Sequence, residues 1–204
     1  MSDSLNVIGR LRKMPAGPET PVSYQLAVGD ERIAVNELLG RRIRLEFEGV
    51  IRCIHCDRKT KKSFNQGYCY PCFRKLAACD SCIMSPEKCH YHLGTCREPE
   101  WGERNCMVEH VVYLANSSGL KVGITRGTQV PTRWIDQGAV EAIPMLRVST
   151  RYLAGLVEVA CKPHVNDRTN WRAMLKGDVP ELDLAAERER ILSLIADDLE
   201  QLRE

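Results

Sequence analysis

The chain has 204 residues, of which 44% are hydrophobic and 27% are charged, and its formal net charge at pH 7 is +2. No apolar run approaches the roughly eighteen residues of a membrane span, and the N-terminus lacks the apolar stretch of a secretory signal. We therefore expect a cytoplasmic protein without membrane contact. Residues 1–80 carry fourteen Lys and Arg against nine Asp and Glu, whereas residues 177–204 carry three against nine. This asymmetry favours an anionic partner for the basic body.

The N-terminal quarter predicts a small antiparallel β segment. Strands are expected at 22–28 and 33–35. In residues 41–52, Ile43, Leu45 and Phe47 alternate with charged residues, which is typical of a half-buried strand. We expect these strands to lead the chain into the cysteine-rich region and to carry no chemistry of their own.

Ten cysteines are many for a chain of this length. Without an export signal, metal ligation explains them better than disulfides do. Cys53-x2-Cys56 and Cys69-x2-Cys72 have the spacing of two knuckles that hold one Zn²⁺ in tetrahedral thiolate coordination. The sequence therefore predicts a structural zinc site at these four residues.

The loop between the two knuckles is basic and is flanked by aromatic residues. Lys59, Lys61 and Lys62 could contact phosphates while a ring such as Phe64 stacks on a base. The alternative is a solvated ribbon tip whose rings pack on the knuckles. Arg126, farther along the chain, is a further candidate for nucleic-acid contact.

A second group of candidate ligands follows directly. Cys79-x2-Cys82 is a third knuckle, and we expect Cys96 and Cys106 to complete a second zinc site with it. The alternative closing ligands are Cys89 and His92. A cross-braced arrangement with the first group stays open, as does a redox role for one CxxC pair.

Residues 109–177 predict an α/β domain. Strands are expected at 111–114, 120–125 and 142–148, and helices at 132–137, 151–161 and 169–176.

Local signals set the ends of these elements. Gly138 ends the first helix and Pro144 indicates an edge strand. Ser149 and Asp167 are the expected N-caps of the later helices.

The C-terminal segment predicts one long charged helix over 184–202. Its apolar residues recur at helical spacing. This stripe is expected to pack either on the body of the protein or on a second copy, which would make a homodimer.

The α/β region resembles the GIY-YIG nuclease domain at a few positions. Val111-Val112-Tyr113 stands at the first signature triplet of that family, and Lys121-Val122-Gly123 stands at the second. Arg133 matches the arginine of the family's first helix, and Glu158 matches its metal-binding glutamate. The resemblance implies a ββαβαα fold.

The same resemblance implies Mg²⁺-dependent phosphodiester hydrolysis. Glu158 would bind the divalent ion, Arg133 would stabilise phosphate charge and Tyr113 would position water, with Lys121 as an auxiliary cation. Val111 and Lys121 stand where the family has glycine and tyrosine. A nucleic-acid-binding module without catalysis, with RNA as its candidate target, is therefore the alternative function.

A broader part of the chain looks similar to an uncharacterised family of cysteine-rich prokaryotic proteins, a domain of unknown function. The segments that carry this similarity are 94–106, 112–126, 132–142 and 167–177.

The sequence as a whole predicts an α+β protein. Its expected regions are a small β segment (1–52), a cysteine-rich zinc-binding or zinc-ribbon region (53–108), a GIY-YIG-like domain (109–177) and a charged C-terminal helix (178–204). We expect one or two structural Zn²⁺ ions, with Mg²⁺ as a further candidate cofactor, and nucleic acid as partner.

Overall fold

The computed structural model describes residues 6–165, 171–177 and 179–202. These residues form a mixed α+β fold with small antiparallel sheets. The strands are β1 Ala16–Gly17, β2 Ser23–Val28, β3 Glu31–Ala34, β4 Ile51–Arg52, β5 Lys59–Thr60, β6 His110–Asn116, β7 Leu120–Arg126 and β8 Glu141–Val148. The helices are α1 Tyr70–Lys75, α2 Pro99–Asn105, α3 Thr132–Asp136, α4 Arg151–Cys161, α5 Trp171–Lys176, α6 Leu184–Leu194 and α7 Ala196–Gln201.

The N-terminal sheet has the strand order β1-β2-β3. The side chain of Asn36 fastens one end of it by accepting from the backbone N–H of Tyr24 at 2.8 Å and donating to the carbonyl of Val22 at 2.8 Å. Lys13 pairs with Asp136 at 2.5 Å. This N-terminal layer therefore lies against α3.

The strand predicted over 41–52 is wrong for most of its length. Only Ile51–Arg52 forms a strand, β4, which pairs with β5. Ile43, Leu45 and Phe47 are 58%, 71% and 73% exposed. A period of two indicates a strand only where a sheet face covers the apolar side, and no such face covers these three residues among those described.

The central sheet has the strand order β7-β6-β8, so β6 is flanked on both sides and all seven of its residues are buried. One face of β6 presents Val112 and Leu114 to the main core, which also includes residues of α4 and α6. The other face presents Val111, Tyr113 and Ala115, which pack against Val130, Trp134, Ala139 and Ala142. The element order is strand, strand, helix, strand, helix, as the sequence predicts.

The ends of these elements agree with the sequence signals in part. Gly138 follows α3 with φ 66°, the conformation expected of a glycine that ends a helix. Pro144 lies on β8, which is an edge strand as predicted. Helix α4 spans the predicted residues, but its cap is Thr150, whose side chain accepts from Leu153 N at 3.2 Å. The assignment of Ser149 as the cap is therefore wrong by one residue.

The predicted helix at 169–176 is described only in its second part, α5. Its expected cap, Asp167, lies outside the described residues. Beyond it, the single C-terminal helix is wrong. Ile195, with φ −104° and ψ 14°, separates α6 from α7.

The apolar stripe of the C-terminal segment belongs to the main core. Ile191 and Ile195 are fully buried there, and Leu184 is 2% exposed. The stripe thus packs on the body of its own chain, and dimerisation through this segment stays a prediction. In the part of the chain that the structure describes, every helix is too short or too polar to cross a bilayer.

Candidate functional site

The first group of cysteines forms a compact cluster. The ligand atoms of Cys53, Cys56, Cys69 and Cys72 all lie within 4.8 Å of one another. The sulfurs of Cys56 and Cys69 are 3.7 Å apart. Tetrahedral coordination with Zn–S bonds of about 2.3 Å requires sulfur–sulfur distances of about 3.8 Å. These four cysteines can therefore hold a zinc ion.

Local backbone geometry turns the thiols toward one another. Asp57, with φ 61°, closes the first knuckle, and Cys53 N donates to Arg58 O at 2.9 Å. Burial acts to raise the pKa of Cys53, but backbone N–H groups of the two knuckles more than offset it and lower the pKa to about 6. Burial and the neighbouring sulfurs raise the pKa of Cys72 to about 12. A bound cation is what would let all four sulfurs be thiolates together.

The basic loop beside this cluster is exposed. Lys59, Lys61 and Lys62 all face solvent. The ammonium of Lys62 lies 5.4 Å from the centre of the Phe64 ring, and that ring is stacked 5.6 Å from Phe73. Phe64 thus packs on Phe73, next to Cys72 of the second knuckle, as the ribbon-tip alternative expects, while nucleic-acid contact by the lysines stays a prediction.

The second group of cysteines is arranged differently from the prediction. Cys82, Cys89, Cys96 and Cys106 line one small cavity, together with Asp80 and His90. Cys79 does not line it. The electrostatic neighbours of the Cys79 thiol include Cys53 of the first cluster, and its hydrogen-bond partner is Asn65.

A break in the backbone explains the separation of Cys79 from Cys82. The two residues sit on successive 3-10 turns, Ala77–Cys79 and Ser81–Ile83, and Asp80 between them is extended with φ −70° and ψ 154°. The two thiols of this CxxC therefore do not act as one knuckle. The structure thus places Cys79 outside the cavity that Cys82, Cys96 and Cys106 line, while metal binding by any of these residues stays a prediction.

Asp80 links the two cysteine groups. Its carboxylate lies 2.7 Å from Arg97 Nε and 3.5 Å from His90 Nε2. Burial acts to raise the pKa of Asp80, but the adjacent guanidinium lowers it overall. Arg97 also donates to the carbonyls of Phe73 and Leu76 at 3.1 and 3.4 Å. His92, an alternative ligand in the sequence, is exposed.

Tyr113 is the buried centre of the α/β site. Its side chain has no exposed surface, its ring lies 5.9 Å from that of Trp134, and its hydroxyl donates to Gln137 Oε1 at 2.7 Å. Burial raises the pKa of Tyr113 to about 12, although the nearby guanidinium of Arg133 acts in the opposite direction. Gly123 faces the ring across the sheet, where a Cβ would lie 2.7 Å from the phenol carbon and oxygen.

The structure brings the other three predicted catalytic residues close to Tyr113. Its hydroxyl is within electrostatic reach of both Arg133 and Glu158. Lys121 is also within reach of both, and burial followed by the charge of Arg133 lowers its pKa while Glu158 acts to raise it. Arg133 is exposed, and Lys121 and Glu158 are half-buried. Their catalytic roles stay predictions.

Arg126 has a different setting from the lysines of the basic loop. Its guanidinium donates to Asn105 Oδ1 at 2.7 Å, so it connects β7 to the end of α2. Two residues that the sequence analysis did not single out also belong to this region. Gln137 fixes the Tyr113 hydroxyl, and Arg151 lies within electrostatic reach of Glu158 and of Cys106.

A polar residue at a helix end, such as Gln137, gives no signal in a single sequence that it bonds a tyrosine 24 residues earlier in the chain.

Comparison with known proteins identifies the family of this chain. Searches of the curated proteins and of the solved structures returned no match. A family model described as "Protein of unknown function (DUF2797)" matches residues 40–204, which include both cysteine groups and the whole α/β region. The chain belongs to the DUF2797 family.

Proposed function

We propose that this chain is a zinc-containing protein that interacts with nucleic acid through a divergent GIY-YIG-like domain. This domain binds a phosphodiester group among Lys121, Arg133 and Glu158 and cleaves it with Mg²⁺. The observation that carries the proposal is the convergence of two cations and one carboxylate around the buried Tyr113. These groups come from β7, α3 and α4, which are distant in sequence.

The charges fit a phosphodiester. A guanidinium such as Arg133 presents several donors to phosphate oxygens, and an ammonium such as Lys121 adds a second positive charge. Lys121 is half-buried on an edge strand, so water screens its charge less than that of the loop lysines. The pair can therefore hold an anion that approaches the exposed side of Arg133.

The carboxylate of Glu158 provides an oxygen ligand of the kind that Mg²⁺ prefers. When bound, Mg²⁺ supplies electrostatic stabilisation of the phosphate. Tyr113 has a different role from the one that the resemblance implies. With a pKa of about 12 and a buried hydroxyl bonded to Gln137, it is a poor proton acceptor near neutral pH and instead supports the position of Arg133.

The second candidate function is nucleic-acid binding without cleavage. The complete burial of Tyr113 favours it, because no substrate atom reaches that hydroxyl in this conformation. Val111 and Lys121 stand where the GIY-YIG nuclease family has glycine and tyrosine, and these two differences favour the second function as well. In this case Lys121 and Arg133 would bind phosphate, and Glu158 would be a structural neighbour of the two cations.

Cleavage and binding assays separate the two functions. Zinc-loaded protein is incubated with labelled single- and double-stranded DNA and RNA and with Mg²⁺ or Mn²⁺. We expect cleavage that Glu158→Gln abolishes while zinc content is unchanged. Glu189→Gln, an exposed carboxylate on α6, is the matched control and should cleave like the parent protein. Binding without cleavage by the parent would support the second function.

The salt dependence of binding tests the phosphate contact itself. Lys121→Met should weaken binding to all sequences and lower the slope of log K against log salt by about 1. Lys162→Met, an exposed lysine just after α4, should leave that slope unchanged. If the parent protein binds no nucleic acid at low salt, both candidate functions fail.

A further inference from the structure

Four cysteines converge on a cavity of ionic size next to α4. The cavity measures about 20 Å³, which is room for one water-sized particle. Cys82, Cys89, Cys96 and Cys106 contribute to its wall, and each of the other three lies within electrostatic reach of Cys82. The four sulfurs are not all within 4.8 Å of one another among the described residues, so coordination of one ion in this cavity requires their side chains to rotate inward.

Short turns and helix ends bring the four sulfurs to this cavity. Cys82 lies on the turn Ser81–Ile83, Cys89 ends the turn Pro86–Lys88, and Cys106 ends α2. Cys96 lies beside Gly102 of α2, where a Cβ would lie 3.0 Å from the Tyr91 ring and 3.4 Å from the Cys96 sulfur. Four cysteines that are irregularly spaced in the sequence thus line one cavity.

Asp80, Cys82 and His90 form a competing set, since their ligand atoms lie within 4.8 Å of one another. The carboxylate of Asp80 is already paired with Arg97 at 2.7 Å, and His90 Nδ1 is hydrogen-bonded to Thr95 Oγ1 at 2.8 Å. A guanidinium in contact with the carboxylate opposes binding of a metal cation there. Thiolates are also the softer ligands, which zinc accepts readily.

Arg151, the first residue of α4, brings a partly buried positive charge close to Cys106 and Cys82. Its Nε is buried and, within the described part of the chain, has no hydrogen-bond partner, while one Nη donates to Ile83 O at 2.7 Å. The neighbours that favour its positive charge are the Cys106 and Cys82 thiols, when ionised, and the carboxylate of Glu158. A partly buried guanidinium is stabilised by negative charge nearby, and four thiolates around a divalent ion carry a net charge of about −2.

We propose that Cys82, Cys89, Cys96 and Cys106 bind a second zinc ion, and that Arg151 is a positioning residue which balances the charge of that thiolate site. Cys79, Asp80, His90 and His92 are not ligands. This inference is independent of the proposed nucleic-acid function, because its readout is metal content and metal affinity.

Measurement of the zinc content of the 204-residue chain tests the ligand set. Purified parent protein should contain two zinc ions per chain by elemental analysis. Cys89→Ser should retain one, whereas Cys79→Ser, its matched control, should retain two. The proposal is overturned if the parent binds one zinc ion, or if Cys79→Ser loses an ion while Cys89→Ser keeps both.

Alkylation of the unaltered protein keeps the proposal testable if Cys89→Ser does not fold. The zinc-loaded protein is treated with N-ethylmaleimide, and labelled cysteines are mapped by mass spectrometry during stepwise chelation. Cys89 is only partly buried and should still be protected while two zinc ions are bound. It should become labelled together with Cys82, Cys96 and Cys106. Labelling of Cys89 in the fully zinc-loaded protein would contradict the assignment.

The role of Arg151 has its own measurement. Groups that contact metal ligands typically alter metal affinity by about 10–100-fold when they are changed. Arg151→Met should therefore weaken one of the two zinc sites by about 10–100-fold in competition with a chelating dye, with the other site unchanged. Arg151→Lys should restore most of that affinity. Equal loss at both sites, or no rescue by lysine, would show that Arg151 supports only the fold.

Discussion

The contact between Gly123 and Tyr113 makes a sharp test of the α/β site. A methyl group at position 123 would lie 2.7 Å from the phenol carbon and oxygen of Tyr113, about 0.7 Å inside the 3.4 Å at which ordinary contact begins. The ring cannot move away freely. It has no exposed surface, it lies against Trp134, and its hydroxyl is bonded to Gln137 at 2.7 Å. Gly123→Ala must therefore displace the ring or separate two paired strands.

The size of the effect follows from these constraints. Overpacking by one methyl in a closed site costs about 1–3 kcal/mol. Loss of the hydrogen bond from Tyr113 to Gln137 would add about 1 kcal/mol. Alanine has less backbone freedom than glycine in the unfolded chain, which stabilises the folded state by roughly 0.5 kcal/mol. We expect a net loss of about 2 kcal/mol, which for a protein of this length lowers the Tm by roughly 4–8 °C.

A double-mutant cycle isolates the contact. Unfolding of the parent, Gly123→Ala, Tyr113→Leu and the double variant is followed in denaturant, with zinc content confirmed for each. Leucine lacks the phenol atoms, so Gly123→Ala should cost little in the Tyr113→Leu background, and the coupling should be about 2 kcal/mol. If the alanine costs the same in both backgrounds, the close approach to Tyr113 is not the reason for glycine at this position.

Three further predictions concern the scaffold. Ile191→Ala should lower the free energy of unfolding by about 2–5 kcal/mol, because Ile191 is fully buried, while Leu194→Ala, at a position 49% exposed, should change it by about 0.5 kcal/mol or less in the same denaturant titration. Thr150→Ala should cost about 1 kcal/mol through loss of the α4 cap, and an equal cost for Ser149→Ala would refute that assignment. Burial, followed by nearby Arg151 and Arg126, lowers the pKa of His110 in the folded state. The unfolded state then binds more protons below about pH 6.5, so the Tm should fall more steeply with decreasing pH for the parent than for His110→Asn, measured while zinc remains bound.

The central sheet was predictable because local and tertiary signals agree there. Val111 and Tyr113 lie on one face of β6, and Val112 and Leu114 lie on the other, so a run of apolar residues suits a strand buried on both sides. Gly119 and Gly138 both take positive φ, as a turn and a helix end require. Where each residue meets the preference of its own position, a single sequence is sufficient.

The strand predicted at 41–52 failed for the opposite reason. Alternation of Ile43, Leu45 and Phe47 reports only that one side of an extended segment is apolar. It does not report whether another strand lies within hydrogen-bonding distance. Whether a partner strand is present depends on the path of the chain into β4. Strand β4 itself pairs with β5 over two residues only. Strands pair with segments that are distant in the sequence, and the periodicity of one segment does not show whether such a partner exists.

The two cysteine groups also differ in how far they could be predicted from the sequence. For Cys53, Cys56, Cys69 and Cys72, sequence spacing and hairpin geometry coincide, so the cluster could be predicted from spacing alone. The second group could not, because the extended backbone at Asp80 turns the thiols on either side of it in different directions. A CxxC spacing predicts a shared metal only when the backbone between the cysteines, whether a turn or the start of a helix as at Cys69 and Cys72, directs both thiols to the same side.

Helix α4 makes the cysteine-rich region part of the α/β site. Arg151 N donates to Cys106 O at 2.8 Å, and Gly155 packs so closely on the turn at Pro86 that a Cβ would lie 2.5 Å from the proline ring. The residues that bring Cys89 and Cys106 to their cavity therefore also fix the helix that carries Glu158. Loss of metal from that cavity would release the turn and the α2 end from α4 together. A chain cut near residue 108 would for the same reason remove the surface that holds Glu158 in place.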